Sequence, residues 1–342
     1  MLDAPQSEQQ LEEYLTQPTE AVLDAVRALD GDLIILGAGG KIGPSLAVLA
    51  SRSLRSINLS HRVICVSRFS VPGVADYLRQ AGVEVIAADM LAPGVLEALP
   101  DVSNVIYLAG MKFGSTGAEP MTWMLNAFLP GLVARRFAHS RIVALSTGNV
   151  YPLVPVTSGG ATEQTLPSPH GEYAMSCLAR ERMFQYAALN GGTRVMLIRL
   201  NYANDLRYGV LHDIAQRVLA GEPVDLSMGA VNVIWQGDAN RVILQCVPLC
   251  AAPARVLNLT GPETVSVRWL AERFGELFGR SPVFIGQEHP DALLSNAAQC
   301  WRLFGYPRIT LMQMIEWTAA WIGRGGRSLG KPTHFETRNG RY

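Results

Sequence analysis

From Asp32 onward, short apolar runs recur along the chain: LIIL (33–36), VICV (63–66), VEVIA (83–87), NVIYLA (104–109), RIVAL (141–145) and RVMLIRL (194–200). Val, Ile and Leu dominate these runs with little polar alternation, the pattern of strands buried on both faces. The intervening stretches are long enough for crossover helices. Repeated strand–helix–strand units predict an α/β fold built on a doubly wound parallel sheet. Residues 1–30 read as one or two short polar helices ahead of it. After residue 200 the rhythm changes. A helix over about 208–220 ends at Gly221, and an extended piece follows at 223–227. VNVIW (231–235) reads as a strand before a helix from Asp238, and VLNLT (256–260) as another strand. Ser266 is placed to cap a helix to about 278, and 310–323 has amphipathic helical spacing. The chain thus divides into a helical extension (1–30), a sheet domain (31–200), a smaller lobe (201–323) and a tail (324–342). The strand and helix near 231–260 are expected to return to the sheet domain. The tail is Gly-rich and basic, and reads as a surface segment wrapped over a neighbour.

Composition narrows the class. Hydrophobic residues make up 49% and charged residues 17%, the latter below the usual ~25%. Such a chain buries a large core and is not disordered. Twenty-nine basic residues balance 29 acidic ones, which argues against a nucleic-acid binder working through a global basic field. No apolar run approaches the roughly 18 residues of a membrane span. The start, MLDAPQSEQQLEEYL, is acidic and polar, unlike a secretory signal. A cytoplasmic protein without a membrane partner is expected. Cys65, Cys177, Cys246, Cys250 and Cys300 are scattered, with no CxxC among them. Neither a disulfide framework nor a metal site is expected.

The segment LIILGAGGKIGPSLA sets Gly37, Gly40 and Gly43 between the first strand and the next helix, with Lys41 and Ile42 inside the loop. Glycines let the backbone turn tightly and approach a pyrophosphate, while the helix N-terminus offers free N–H groups to it. The plainer alternative is a tight turn needing positive φ. The second strand ends VICVSRFS. Ser67 stands where an NAD site usually carries an acid, Arg68 follows, and no Asp or Glu occurs from Leu33 to Ala75. A hydroxyl beside a guanidinium suits a 2′-phosphate and favours NADP over NAD. The competing reading has Arg68 stacked on adenine or facing water. Asp89 and Met90, at the end of the third strand, are placed to meet the adenine, although Asp89 suits a turn equally.

Over roughly 32–323 these segments resemble the extended short-chain dehydrogenase/reductase family, of the NAD(P)-dependent epimerase/dehydratase type. LGAGGKIG is similar to its glycine loop. NVIYLAGMKFG resembles the segment after its fourth strand, which implies cofactor contacts from Ala109, Gly110 and Lys112. MLNAFLPG is similar to its Asn-x-x-x-Gly region and places Asn126 as the cofactor-binding asparagine, with Pro130 at the usual glycine. LSTGNVYP resembles the Ser-Thr-Asp-Glu-Val-Tyr-Gly segment, putting Thr147 in the catalytic hydroxyl position and Asn149 beside the substrate. The resemblance implies a Rossmann fold with a smaller C-terminal substrate lobe.

The family's Tyr-x-x-x-Lys pair transfers a hydroxyl proton through the tyrosine. The lysine holds the nicotinamide ribose and lowers the tyrosine pKa. In GEYAMSCLARERMF the tyrosine is Tyr173, but Cys177 holds the lysine position. The only lysines are Lys41, Lys112 and Lys331. Lys112 or Arg180 takes over the electrostatic role, or Tyr173 acts mainly as an acid or hydrogen-bond donor, or the protein is a catalytically inactive NADP sensor. The first two together are favoured, with Lys112 the preferred cation.

On the substrate side, LIRLNYANDLRYG offers Asn201, Arg207 and Tyr208 to hydroxyl or carboxylate oxygens. His170 is a second acid/base candidate, and Trp235 is placed to stack on a sugar face, although a surface histidine and a core tryptophan are the plainer readings. Val231 stands where nucleotide-sugar enzymes of the family carry an arginine for the diphosphate. That favours a smaller sugar or sugar acid as substrate. Segments 119–138 and 170–190 resemble the helices that pair across a family dimer axis, with Trp123, Leu132, Phe137, Met183 and Phe184 as apolar residues. A homodimer is expected.

Overall fold

The computed structural model describes residues 3–342. The apolar runs form one seven-stranded sheet. Its strands are β1 (Leu33–Leu36), β2 (Val63–Ser67), β3 (Glu84–Ala87), β4 (Asn104–Tyr107), β5 (Arg141–Thr147), β6 (Arg194–Leu200) and β7 (Arg255–Leu259). All pair in parallel, in the order β7-β6-β5-β4-β1-β2-β3. β1 and β4 are buried at every residue. β3 differs from the expectation of a strand buried on both faces: it is the sheet edge, and Glu84 and Ala87 are exposed. The chain winds outward from β1 in both directions, which opens a crevice at the carboxyl ends of β1 and β4.

Helices cover both faces. α1 (Glu8–Thr16) and α2 (Glu20–Arg27) start from the caps Ser7 and Thr19. One face of the sheet packs against α2 and α3 (Gly43–Ser56), with α4 (Val74–Gln80) near its edge. The other face packs against α5 (Val95–Ala98), α7 (Leu129–Arg136) and α8 (Gly171–Gly191), with α6 (Glu119–Trp123) lying on α8. Between α6 and α7 the backbone widens into a π-turn at Met124–Phe128, closed by Leu129 N–H donating to the Met124 carbonyl. Pro130, just beyond, has no N–H to continue an α-helical ladder.

The smaller lobe has its own core. It is built by α9 (Val210–Ala220), α11 (Val267–Phe278) and α13 (Leu311–Gly323), while α10 (Gln236–Gln245) joins α2 and α3 on the sheet's core and α12 (Ala298–Phe304) lies against β7. Ser266 accepts from Trp269 N–H and caps α11, and Thr310 with Gln313 forms a capping box on α13. The 231–235 run is not one strand. It breaks into Ala230–Val231 and Ile234–Trp235 because Asn232 turns its amide to the Glu263 carbonyl (2.9 Å) and accepts from Ser295 N–H (2.8 Å). α1 contributes Leu11 and Leu15 to this lobe's core, while α2 contributes Val22 and Val26 to the sheet's. The 324–342 segment does not extend away from the chain. Phe335 is 1% exposed in the smaller lobe's core, and the stretch beyond it runs back to the sheet domain. Among the described residues no helix is long and apolar enough to cross a membrane.

Candidate active site

The glycine loop closes over the β1–β4 crevice. Gly37 adopts φ +87°, and a Cβ there would lie 2.5 Å from Ala109 N. A Cβ on Gly43 would meet the Ala38 carbonyl oxygen. Both positions need glycine for packing. Gly40 differs: a Cβ would meet nothing nearer than the Gly37 carbonyl oxygen at 3.6 Å. The loop is therefore open on that side. Ile42, the N-cap of α3, gives no side-chain cap, and the first turn carries no acid. An uncapped helix N-terminus beside an open glycine is a fit for a dinucleotide pyrophosphate. At the end of β2, Ser67 packs under Gly39 and Arg68 is exposed. Asp89 Oδ1 accepts from Leu91 N–H (3.0 Å), the turn alternative, and Met90 is buried beneath the sheet with Ile34 and Ile64. The turn takes one oxygen of the exposed Asp89, while core packing holds Met90.

Asn126 sits on the π-turn, completely buried. Its oxygen accepts from Met111 N–H (2.8 Å) and Arg180 Nη2 (3.0 Å), and its Nδ2 donates to the Met111 carbonyl (2.9 Å) and Ser176 Oγ (3.0 Å). An amide side chain has two acceptor sites and two donors, so none is left for a cofactor. This corrects its reading as a cofactor ligand: Asn126 clamps the loop after β4 to α8. Gly110 belongs to the same arrangement, since a Cβ there would collide with Arg180 Nη2.

Tyr173 lies on the first turn of α8, partly exposed, with Cys177 one turn below it and completely buried. Burial pushes the Tyr173 phenol well above its usual range, the Cys177 sulfur adds to this, and Arg180 and the Thr147 hydroxyl oppose it. Thr147 caps the short turn after β5 by accepting from Asn149 N–H (3.2 Å). The Cys177 thiol is also pushed up by burial, so it is no nucleophile at neutral pH. Arg180, 6% exposed, donates to the Leu145 carbonyl (2.8 Å) and to Asn126. It is the cation that favours the Tyr173 phenolate. Lys112 reaches elsewhere. Its ammonium donates to the Thr333 carbonyl (3.1 Å) and lies 4.4 Å from the Tyr342 ring centre. Burial pulls its pKa down to about 8. Lys41 crosses from the glycine loop to the smaller lobe, donating to the Ala203 carbonyl (2.6 Å) over the Tyr208 ring (3.9 Å), and burial pulls it down to about 7.

Three of the substrate-side expectations are corrected. Trp235 is 1% exposed and packs edge-on against Trp317 at 5.6 Å, so it is a core residue. Arg207 is held by Asp205 (2.6 Å) and by Glu12 of α1 (2.7 Å), with its charge already balanced. Asn201 is 3% exposed and packs under Gly148, with its amide 3.4 Å from the Leu293 carbonyl. His170 is exposed immediately before α8. Asn149 remains at the cleft, where its Oδ1 accepts from the Tyr342 hydroxyl at 3.3 Å.

A buried network below the site was not anticipated. Glu181 pairs with Arg199 through two bonds (2.9 and 2.7 Å) and accepts from Ser146 Oγ (2.6 Å). Arg199 continues to the Tyr151 hydroxyl (2.7 Å), and Tyr151 to Asn258 Oδ1 (2.8 Å). These bonds fix α8, and with it Tyr173, against β5, β6 and β7. The polar Ser146, Glu181 and Arg199 inside otherwise apolar elements were the signal in the sequence.

No curated protein matches the chain. Solved structures share the fold. MoeE5 in complex with UDP-glucose and NAD is 22% identical with a TM-score of 0.69, covering 86% of this chain and 99% of that one. UDP-glucose 4-epimerase from Thermotoga maritima, with UDP-glucose, is 17% identical with a TM-score of 0.71 over the same shares, 86% and 99%. UDP-glucuronic acid 4-epimerase from Bacillus cereus, in complex with NAD, is 18% identical with a TM-score of 0.70, covering 86% and 96%. The model of the NAD dependent epimerase/dehydratase family matches residues 33–229, more than half of the chain. With the glycine loop at the sheet's switch point and Tyr173 beside Thr147, the chain belongs to the NAD dependent epimerase/dehydratase family.

Proposed function

We propose that the protein is an NAD(P)-dependent oxidoreductase of the epimerase/dehydratase type, acting on a hydroxyl of a sugar or sugar-acid-like substrate. The observation that carries this reading is the Tyr173 phenol set beside the Thr147 hydroxyl, with the buried Arg180 guanidinium behind it. A nicotinamide cofactor, when bound, supplies the hydride acceptor and donor. Gly37, Gly40, Lys41, Ile42 and Gly43 hold its pyrophosphate end, and Ser67 with Arg68 receives a 2′-phosphate, which favours NADP. Tyr173 moves the proton of the substrate hydroxyl, Thr147 orients the phenol oxygen, and Arg180 supplies the positive charge absent at Cys177. Asn149 orients the substrate. Val231 is completely buried and uncharged, which supports a substrate smaller than a nucleotide diphosphate sugar. The same reading includes a homodimer formed through α6, the π-turn and α8.

The test is a panel of sugars and sugar acids, read as cofactor reduction and as interconversion of epimers. Tyr173→Phe is expected to lower kcat by at least about 100-fold with cofactor affinity unchanged. Near wild-type turnover in Tyr173→Phe would remove Tyr173 from the chemistry. Cofactor binding without turnover on any substrate would favour the sensor.

A further inference from the structure

The 324–342 segment is anchored across the smaller lobe before it reaches the cleft. Leu329 N–H donates to the Arg207 carbonyl (3.0 Å), and Thr333 gives both its N–H (2.7 Å) and its hydroxyl (2.6 Å) to Asp213 Oδ2. Phe335 is buried, Glu336 pairs with Arg217 (3.4 Å), and Arg338 pairs with Asp291 (2.5 Å). Beyond Arg338 the hold on the smaller lobe ends. Gly340 takes φ +68° against the His170 carbonyl and turns the chain into the cleft. There Tyr342 meets Tyr173 and Asn149, which the proposed reaction uses, and the Lys112 ammonium. Its ring stands edge-on to Tyr173 with centres 5.4 Å apart, Lys112 lies 4.4 Å over it, and its hydroxyl donates to Asn149. The Tyr342 backbone oxygen accepts from Thr116 N–H (3.2 Å) and Ser115 Oγ (3.3 Å) in the loop after β4.

A proton passes between a substrate hydroxyl and a phenol only at hydrogen-bond distance. A substrate that approaches Tyr173 in this way and takes a hydrogen bond from Asn149 needs the volume that the Tyr342 ring fills. We infer that residues 339–342 are an internal occupant of the substrate position, and that substrate binds Tyr173 and Asn149 only when Tyr342 leaves them. The inference rests on the proposed placement of substrate at Tyr173. The anchors through Arg338 keep the displaced tip close to the cleft, and Asn339 and Gly340 are where it pivots. An occupant present in most molecules weakens apparent affinity by the fraction of sites left open. A tip in place nine times in ten therefore costs about tenfold in affinity.

Two measurements on the full chain test this. Acetylation of Tyr173 by N-acetylimidazole, read by peptide mass spectrometry, reports shielding without reference to any substrate. Binding of UDP-glucose and of D-glucuronate to the NADP-loaded protein, read by calorimetry, reports competition. Tyr342→Ala is expected to raise Tyr173 acetylation at least fivefold and to tighten binding of one probe about tenfold, with Tyr342→Phe intermediate. Arg341→Ala, on an exposed side chain, is expected to match wild type. Unchanged acetylation in Tyr342→Ala overturns the inference. So does weaker probe binding, which would make Tyr342 a wall of the site that contacts the substrate. Raised acetylation with neither probe bound by any form upholds the occupied site and counts against the sugar reading of the substrate.

Discussion

Arg68 follows the last residue of β2, exposed, with no hydrogen bond or ion pair among the described residues. A free guanidinium beside Ser67, with no carboxylate near in sequence, is suited to a 2′-phosphate. Arg68→Ala is expected to weaken NADP binding about tenfold or more, the worth of a charge-assisted contact, and to leave NAD binding within twofold. Fluorescence titration with both cofactors checks this, and equal wild-type affinities for NADP and NAD would refute the preference. The positions of the glycine loop and of the β2 end were readable from the sequence, because each is a few consecutive residues. Arg207 and Trp235 were misread for the opposite reason. Arg207 is balanced by Asp205, two positions before it, and by Glu12, 195 positions away, while Trp235 packs on Trp317. Asp205 stands close to Arg207 in the sequence, but nothing beside either residue signals Glu12 or Trp317. Asn126 was readable as important but not as saturated, since its bonds go to Met111 and Ser176, on two different elements.

Among the elements, α8 has the most to hold in place, because it carries Tyr173, Cys177, Arg180 and Glu181. The Glu181–Arg199 pair is buried on both sides, with side chains 0% and 4% exposed. Removing one member leaves a charge uncompensated in the interior, which typically costs about 3–5 kcal/mol. Glu181→Ala is expected to lose stability on that scale, measured as a fall in the chemical-denaturation midpoint. A change under about 1 kcal/mol would show that the pair does not hold α8 to the sheet. Strand and helix identities were legible because their apolar periods are strong, and the end of α11 at Phe278 follows from Gly279 at φ +64°. The π-turn was not legible. A proline at position 130 signals an interrupted helix but does not distinguish a break from a widened turn that carries Asn126 inward.

At the scale of the whole molecule, an apolar surface remains uncovered. Met121, Trp123, Met124 and Phe128 on α6 and the π-turn lie next to Met175, Met183, Tyr186 and Leu189 on α8, and all are exposed. Of the residues expected at this face, Phe137 and Phe184 pack on the sheet instead, while Trp123 and Met183 face outward. Such a patch on adjacent helices suits a symmetric contact between two copies. Phe128→Asp is expected to convert a dimer to a monomer at micromolar concentration, and light scattering distinguishes the two. A monomeric wild type would refute the dimer. The face was legible as two apolar helices, but its outward half was not, because helical spacing does not say which residues the sheet claims.

The position of β7 constrains the order of assembly. The sheet grows from β1 to β6 by residue 200, yet the outer partner of β6 is residues 255–259. During synthesis the segment RVMLIRL therefore spends more than fifty residues of elongation as an open, apolar edge, while the smaller lobe is still being made. An unpaired parallel edge of that composition is the kind on which nascent chains aggregate. Completing the first turns of the smaller lobe is thus also the step that delivers β7 and covers the open edge of β6.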